Sequence, residues 1–343
     1  MKAHRPTGSR MERRRFLKLS LAAGAAASFT SIAAPAVAQR VRALRFGHPV
    51  PPDIAYHKAC LMFADEVARL SSNKMRVEVY PSSQLGSVAE MLSAVKVGSL
   101  DMMFTTPANY TSFIKPLDVF VLPYIVRSPD RLRKALDGDL GKEVIKMGEG
   151  AGFEFLGYLL LGSRHIVNRV RPIYKPADCH GLKLRVLNSQ VYIQAFRALG
   201  GSTVVMDPLE IYVALQQGVV DGFEFPLPDL VSYKLYEVSK YLSLDGHMTD
   251  FHFISMSKVI WDGLSSEQRG IISQAMRTAV DHQWKMQPTE INNALAKLKT
   301  LLQVNEISQE DKKLFMEATR PVYKQFESTI GGGFLELAIR ELS

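Results

Sequence analysis

A guanidinium is well suited to gripping a carboxylate: its planar fork donates two parallel hydrogen bonds and keeps its charge at neutral pH. Arg185 lies in the middle of the run GLKLRVLNS, with Asn188 three residues on. An arbitrary arginine is most often a surface charge or half of a structural ion pair, so the surroundings decide. Residues 182–186 read as a short apolar strand, 191–199 as a helix capped by Asn188 or Ser189, and 203–206 as a second strand. Residues 210–217 read as a second helix, and VVDGFEFP, ending in Phe225 and Pro226, as the next strand. Strands alternating with helices build a parallel sheet, which presents ligands at the carboxyl ends of its strands. A second arginine, Arg164, follows the long apolar run 153–161 through Gly162 and Ser163. It reads either as support for a ligand site or as an ion pair tying two halves together.

Other chemistry finds little footing. Ser71-Ser72-Asn73-Lys74 and Ser255-Met256-Ser257-Lys258 both fit S-x-x-K, but neither S-D-N nor K-T-G follows. The glycines at 148, 150 and 152 stand between a helix and the following strand, the reverse of the order a phosphate cradle needs, and read as a helix stop. His247 and His252 lack a carboxylate or third histidine at metal spacing and read as satisfied polar groups near a hinge. There is no G-x-S-x-G and no H-E-x-x-H, so no specific argument for an enzyme or a cofactor remains. The 14 methionines form no cluster and read as core filler. Cys60 and Cys179 carry no spacing argument for a bridge and are expected as buried or half-buried free thiols.

The elements that must position Arg185 come after an address. Arg13-Arg14-Arg15-Phe16-Leu17-Lys18, an alanine-rich run over 19–32 and Ala36-Val37-Ala38 before Gln39 read as a cleaved secretory signal of the twin-arginine kind, with an ordinary Sec signal as the alternative. That segment holds seven bases against Glu12, so +6 of the formal +8 leaves with it, and the basic balance says nothing about nucleic acid. Beyond it, strands are expected at 44–47, 75–80 and 100–105, with helices at 55–70 and from the capping box Ser87-Val88-Ala89-Glu90. The loop 105–110 after the third strand should face a ligand. A helix from Ser128 to about 147, a helix over 230–238, and strands at 241–247 and 251–256 follow. A very long helical pattern spans 268–302, where Pro288 predicts a kink or break. Two further helices, 311–328 and 334–340, are expected on the second half.

GLKLRVLN, ALGG and EIYVALQQGVVDGFEFP together resemble the signature region of the TRAP-transporter periplasmic solute-binding proteins, receptors for dicarboxylates and other organic acids. YPSSQLGS at 80–87 and Gly162-Ser163-Arg164 extend the likeness, more weakly, over nearly the whole mature chain. The resemblance implies an α/β, two-lobed periplasmic-binding-protein-like fold, each lobe a sheet flanked by helices, joined by hinge strands and a long lobe-spanning helix. The first lobe would hold residues 39–162 and about 250–288, the second 163–249 and about 289–343. It implies that the arginine matching Arg185 clamps a ligand carboxylate and that Arg164 braces the site, with Asn188, Phe225, Glu224, Thr106 and Pro49 completing the ligand-binding set.

It also implies a non-enzymatic, monomeric periplasmic protein whose partners are a small organic carboxylate and the small and large TRAP membrane subunits. A sensor subunit and a secreted α/β enzyme are the alternatives. Where many members carry D-G-x-E-N-P, this chain has Phe225, which offers an aromatic face to the ligand or packs into the hinge core. Sialic-acid-binding members have a glutamate where Thr106 stands and an aspartate where Val88 stands, so sialic acid is disfavoured. The expected ligand leans toward a monocarboxylate or a keto or hydroxy acid with an apolar or aromatic body.

Overall fold

The computed structural model describes residues 41–343; the expected leader over 1–38 lies outside the described residues. β1 (Arg42–Gly47), α1 (Ala55–Leu70), β2 (Met75–Tyr80), α2 (Val88–Val97) and β3 (Met102–Thr105) follow the expected alternation. β1 lies between β2 and β3 and runs parallel to both. The stripe Tyr56, Cys60, Phe63 and Val67 of α1 packs with Leu44 and Phe46 of β1, which fixes the helix on the sheet. The Ser87 hydroxyl accepts from the Glu90 N–H while the Glu90 carboxylate accepts from the Ser87 N–H, so α2 starts where the capping box placed it.

α3 (Pro107–Tyr110), α4 (Pro129–Asp137) and α5 (Asp139–Ala151) lead to β4 (Phe153–Asn168); Gly138 splits the single helix expected from Ser128. β5 (Lys183–Val186), α6 (Gln190–Ala198), β6 (Ser202–Val205), α7 (Ile211–Gln216), β7 (Gly222–Pro226) and α8 (Leu227–Ser232) form the second series, with β5 parallel to both β6 and β7. The helix expected over 230–238 is instead α8 and a short 3₁₀ turn at Leu235–Val238, parted by Lys234 in the left-handed region. β8 (Tyr241–Ser257), α9 (Lys258–Asp262), α10 (Ser266–Leu301), β9 (Gln303–Glu306), α11 (Gln309–Ile330) and α12 (Gly332–Leu342) complete the chain.

The two lobes do not have separate sheets. One nine-stranded sheet runs β2-β1-β3-β8-β4-β7-β5-β6, with β9 also on β8. The strands expected at 241–247 and 251–256 are one strand, β8, antiparallel to β4 along nearly its whole length. β8 pairs with β3 through Phe253 to Met256 and with β9 through Tyr241 to Leu244, so it belongs to one lobe at each end. The β4–β8 register slips between Leu160 and Gly162, and such a bulge leaves backbone groups without ladder partners. Two buried glutamines of α10 supply them. Gln283 accepts from the Leu160 N–H at 3.0 Å and donates to its carbonyl at 2.8 Å, while Gln287 donates to the Leu161 carbonyl at 2.8 Å.

Gly162 carries φ +105°, and an added Cβ would meet Ile291 of α10 at 2.7 Å. Gly162→Ala is therefore expected to cost about 1–3 kcal/mol and lower the melting temperature measurably in a thermal melt. An unchanged melt would mean that the slip relaxes around a methyl group.

α10 does not break at Pro288. The proline lies on the exposed face, so the helical hydrogen bond it forfeits is on the solvent side, and the buried glutamines hold the other side to β4. The last two helices were expected to pack on the second half alone, and the structure differs. α11 touches both α6 and the 3₁₀ turn Lys115–Val121, and α12 packs on α4 and α5, because Phe315, Val322, Leu335 and Leu342 bury in a core that draws on both lobes. Cys60 and Cys179 are buried free thiols, as expected. Among the described residues no helix is long and apolar enough to cross a membrane, and no cluster of side chains suits a metal ion.

Candidate functional site

The carboxyl ends of β3 and β5 face each other across two adjoining cavities. The outer one, about 260 Å³, is walled by Val88, Leu92, Asn109 and Phe113 on one side and by Arg185, Leu187, Asn188, Met206 and Pro208 on the other. The inner one, about 30 Å³, shares Val88, Asn109, Leu187 and Pro208 and adds Pro49, Thr105, Thr106, Arg164, Phe225, Asp229 and His252. Of the residues expected from the sequence, Arg185 and Asn188 line the outer cavity, and Pro49, Thr106, Arg164 and Phe225 the inner one. Glu224 lines neither, because Phe225 turns to the cleft and its strand neighbour turns away.

The two arginines are in opposite electrostatic states. Arg164, 2 % exposed, spends its fork on two carboxylates: Nε and Nη2 donate to Glu224, the latter at 2.9 Å, and Nη1 donates to Asp250 Oδ2 at 2.6 Å. Burial alone would raise the Glu224 pKa, but Arg164 and His247 together outweigh it and hold Glu224 below the usual carboxylate range. Arg185, 1 % exposed, has no carboxylate partner among the described residues. Its Nε and Nη2 donate to the Met206 carbonyl at 2.9 and 2.8 Å, and its Nη1 has no partner at all. Desolvation pushes its pKa down to about 10, which still leaves it charged at neutral pH. Glu224 and Asp207 support its charge only at a distance, and an anion bonded to it in the outer cavity would offset more of the cost of burial.

Phe225 packs into the core and also reaches the cleft. It packs with Phe223 and Tyr233, and its ring lies under both guanidiniums at 5.5 and 6.0 Å, while also facing the inner cavity. Thr106 caps α3 by accepting from the Ala108 N–H. On one flank the walls touch: Tyr56 of α1 donates to Asp229 Oδ2 at 2.8 Å, Tyr233 donates to the Pro49 carbonyl at 3.0 Å, and Ser232 donates to Asp53. These contacts escaped the sequence reading, since their partners stand 173 to 184 residues apart.

The histidines correct another expectation. His247 is bonded through Nδ1 to Asp245 at 2.7 Å, and its Nε2 lies 3.5 Å from Glu224 without a good hydrogen bond. His252 bonds through neither nitrogen. Burial pushes the His247 pKa down, but Asp245 and Glu224 more than reverse this and hold it at about 9. Its folded pKa thus lies above the 6.5 of the free side chain, so its contribution to stability is full below pH 6.5 and lost as pH rises through about 9. Burial raises the Asp229 pKa from 3.8 to about 7, so its contribution is full at low pH and lost as pH rises to neutral. The melting temperature of the ligand-free protein is expected to fall between pH 6.5 and 9, with a shallower fall in His247→Gln. A flat profile in the parent protein would show that His247 is not held protonated.

One continuous sheet, two lobes and a cleft that ends on an unpaired buried guanidinium define a two-lobed solute-binding protein. Residues 46–329 match the family described as Bacterial extracellular solute-binding protein, family 7, and the chain belongs to it. It is 30 % identical over 311 residues to the C4-dicarboxylate-binding periplasmic protein DctP of Rhodobacter capsulatus, covering 90 % of this chain and 93 % of the relative. A TRAP periplasmic solute-binding protein from Sulfurospirillum deleyianum with bound succinate superposes with TM-score 0.84 at 30 % identity, over 88 % of this chain and 99 % of that one. The sugar acid binding protein DctPAm of Advenella mimigardefordensis, in complex with galactonate, gives TM-score 0.85 at 31 % identity, over 88 % and 97 %. The protein is accordingly a periplasmic solute-binding protein of a TRAP transporter, a binding protein rather than an enzyme.

Proposed function

We propose that this subunit captures a monocarboxylate with an apolar body, a keto or hydroxy acid included, and that Arg185 holds the carboxylate. The observation that carries this reading is the contrast between the arginines: Arg164 is neutralised by Glu224 and Asp250, whereas Arg185 keeps one donor nitrogen free in a dry wall. One free cation accommodates one carboxylate. The outer cavity offers no second lysine or arginine for the other end of a dicarboxylate, and Val88, Leu92, Phe113, Leu187 and Met206 favour an apolar chain. Asn188 adds an amide at its edge.

In this reading the ligand enters an open cleft and the lobes close by bending β4 and β8 near the slip at Leu160. Closure brings Pro49, Thr106 and Asn109 over the ligand, expels water and strengthens the charged hydrogen bonds. The loaded, closed surface then meets the small and large membrane subunits. Sialic acid remains disfavoured, since Val88 and Thr106, which line the cavities, stand where sialic-acid-binding members carry an aspartate and a glutamate.

Thermal-shift screening against an organic-acid library tests the proposal, since a ligand that binds only the folded protein raises its melting point. Monocarboxylates with four- to six-carbon apolar chains should give the largest shifts. Preference for succinate or a uronate over all of them would refute the monocarboxylate assignment.

A further inference from the structure

The inner cavity holds a polar set that carboxylate capture does not use. His252, 4 % exposed, lines it with both ring nitrogens unpartnered. Its ring is fixed by stacking, tilted on Phe104 at 4.7 Å and edge-on to Tyr56 at 5.3 Å, so it cannot swing away to find a partner elsewhere. Burial, Arg164 and His48 all push its pKa well below 6.5, which keeps the imidazole neutral, with one nitrogen donating and one accepting.

The rest of the wall offers donors and acceptors together, since the Thr105 and Thr106 hydroxyls already accept from Asn109 and the Ala108 N–H and keep a proton to donate. Asp229 and the hydroxyls of Thr105 and Thr106 face the same space, while the Arg164 donors are already engaged by Glu224 and Asp250. A buried polar atom without a partner is rare in native proteins and calls for a group that completes it. The volume, about 30 Å³, suits a water or a group of that size rather than a carboxylate with its chain. Such a wall suits a hydroxyl, which both donates and accepts, better than a carbonyl, which only accepts; a second carboxylate would meet Asp229.

We infer that the inner cavity is a second recognition subsite in which His252 reads a hydroxyl on the ligand chain, so that the protein selects a hydroxy acid over its deoxy, oxo and dicarboxylate counterparts. The inference rests on Arg185 holding the carboxylate in the adjoining cavity, which places the chain of the ligand toward Val88, Asn109, Leu187 and Pro208, the residues common to both spaces. His252 is then a specificity-determining residue rather than a structural one.

Calorimetry with valerate, 2-, 3- and 4-hydroxyvalerate, 2-oxovalerate and succinate tests it on three proteins: the parent, His252→Phe and Arg185→Met. At least one hydroxyvalerate should bind the parent about 100-fold tighter than valerate, because a site built around a hydroxyl rejects the analogue that lacks it. His252→Phe keeps an aromatic ring between Phe104 and Tyr56 and removes both nitrogens. The preference should collapse to within about threefold there, chiefly through lost hydroxyvalerate affinity, and His252→Gln should restore part of it.

Survival of the preference in His252→Phe, or a parent preference for 2-oxovalerate or succinate, would overturn the inference and leave the Arg185 reading standing. Undiminished valerate binding by Arg185→Met would remove the carboxylate reading, and with it the placement of the chain. A parent protein that binds none of the series would refute both.

Discussion

Arg185→Met is expected to weaken binding of the preferred organic acid at least about 100-fold while leaving the fold intact. Charge-assisted hydrogen bonds contribute about 1.5–3 kcal/mol each, and the mutant loses both the bonds and, among the described residues, the one unpaired cation lining the cleft. Methionine keeps an apolar stem of similar length, so packing against Phe225 survives. The stability side is less obvious. The mutant strips two donors from the Met206 carbonyl but also removes a desolvated charge without a counter-ion, and these effects oppose each other. The melting temperature of the empty protein should therefore move by only a few degrees. Calorimetry checks the affinity and a thermal melt the stability. Arg185→Lys, which keeps the charge and loses the fork, should fall between the two. Parent-like affinity in Arg185→Met would place the carboxylate elsewhere.

Glu224→Gln should have the reverse profile, with a large loss of stability. Glu224 is the bidentate partner of Arg164, the nearest anion to His247 Nε2 and an electrostatic support for Arg185. Removing its charge leaves Arg164, His247 and Arg185 against Asp250 and Asp245 in a dry interior. Breaking a buried pair by deleting one partner typically costs about 3–5 kcal/mol, and for a chain of this size that corresponds to a drop on the order of 5–15 °C. The His247 pKa should fall with it, shrinking the alkaline loss of stability described above. A melting temperature within about 2 °C of the parent would mean that water or a relaxed side chain neutralises the cluster.

The sequence carried some of this structure plainly and some not at all. The strand and helix alternation around Arg185 was legible because each element is local and amphipathic, and the Ser87–Glu90 box because a cap is read within four residues. Arg185 was singled out for its position at a strand end, and Asn188, Thr106, Pro49 and Phe225 do line the two cavities. What stayed hidden depends on partners far along the chain. Arg164 meets Glu224 and Asp250 across 60 and 86 residues, so whether it was free or paired could not be read locally. Two short runs gave no sign that they were one strand, because the segment between them is buried yet carries Thr249 and Asp250, the latter held by Arg164 86 residues away. Pro288 misled for a related reason: the cost of a helix proline depends on which face it lies on, and the glutamines that steady that helix are fixed by a slip in a strand more than a hundred residues earlier.

The pair β4 and β8 crosses the whole molecule, and α11 and α12 bury their apolar faces in a core drawn from both halves. Neither half therefore owns a complete set of neighbours. A fragment carrying one wall of the cleft would expose a raw strand edge and an uncovered apolar face, so severing the chain at the crossover should yield two insoluble pieces rather than two working halves. Denaturation, for the same reason, should proceed as one transition even though binding requires the halves to move against each other.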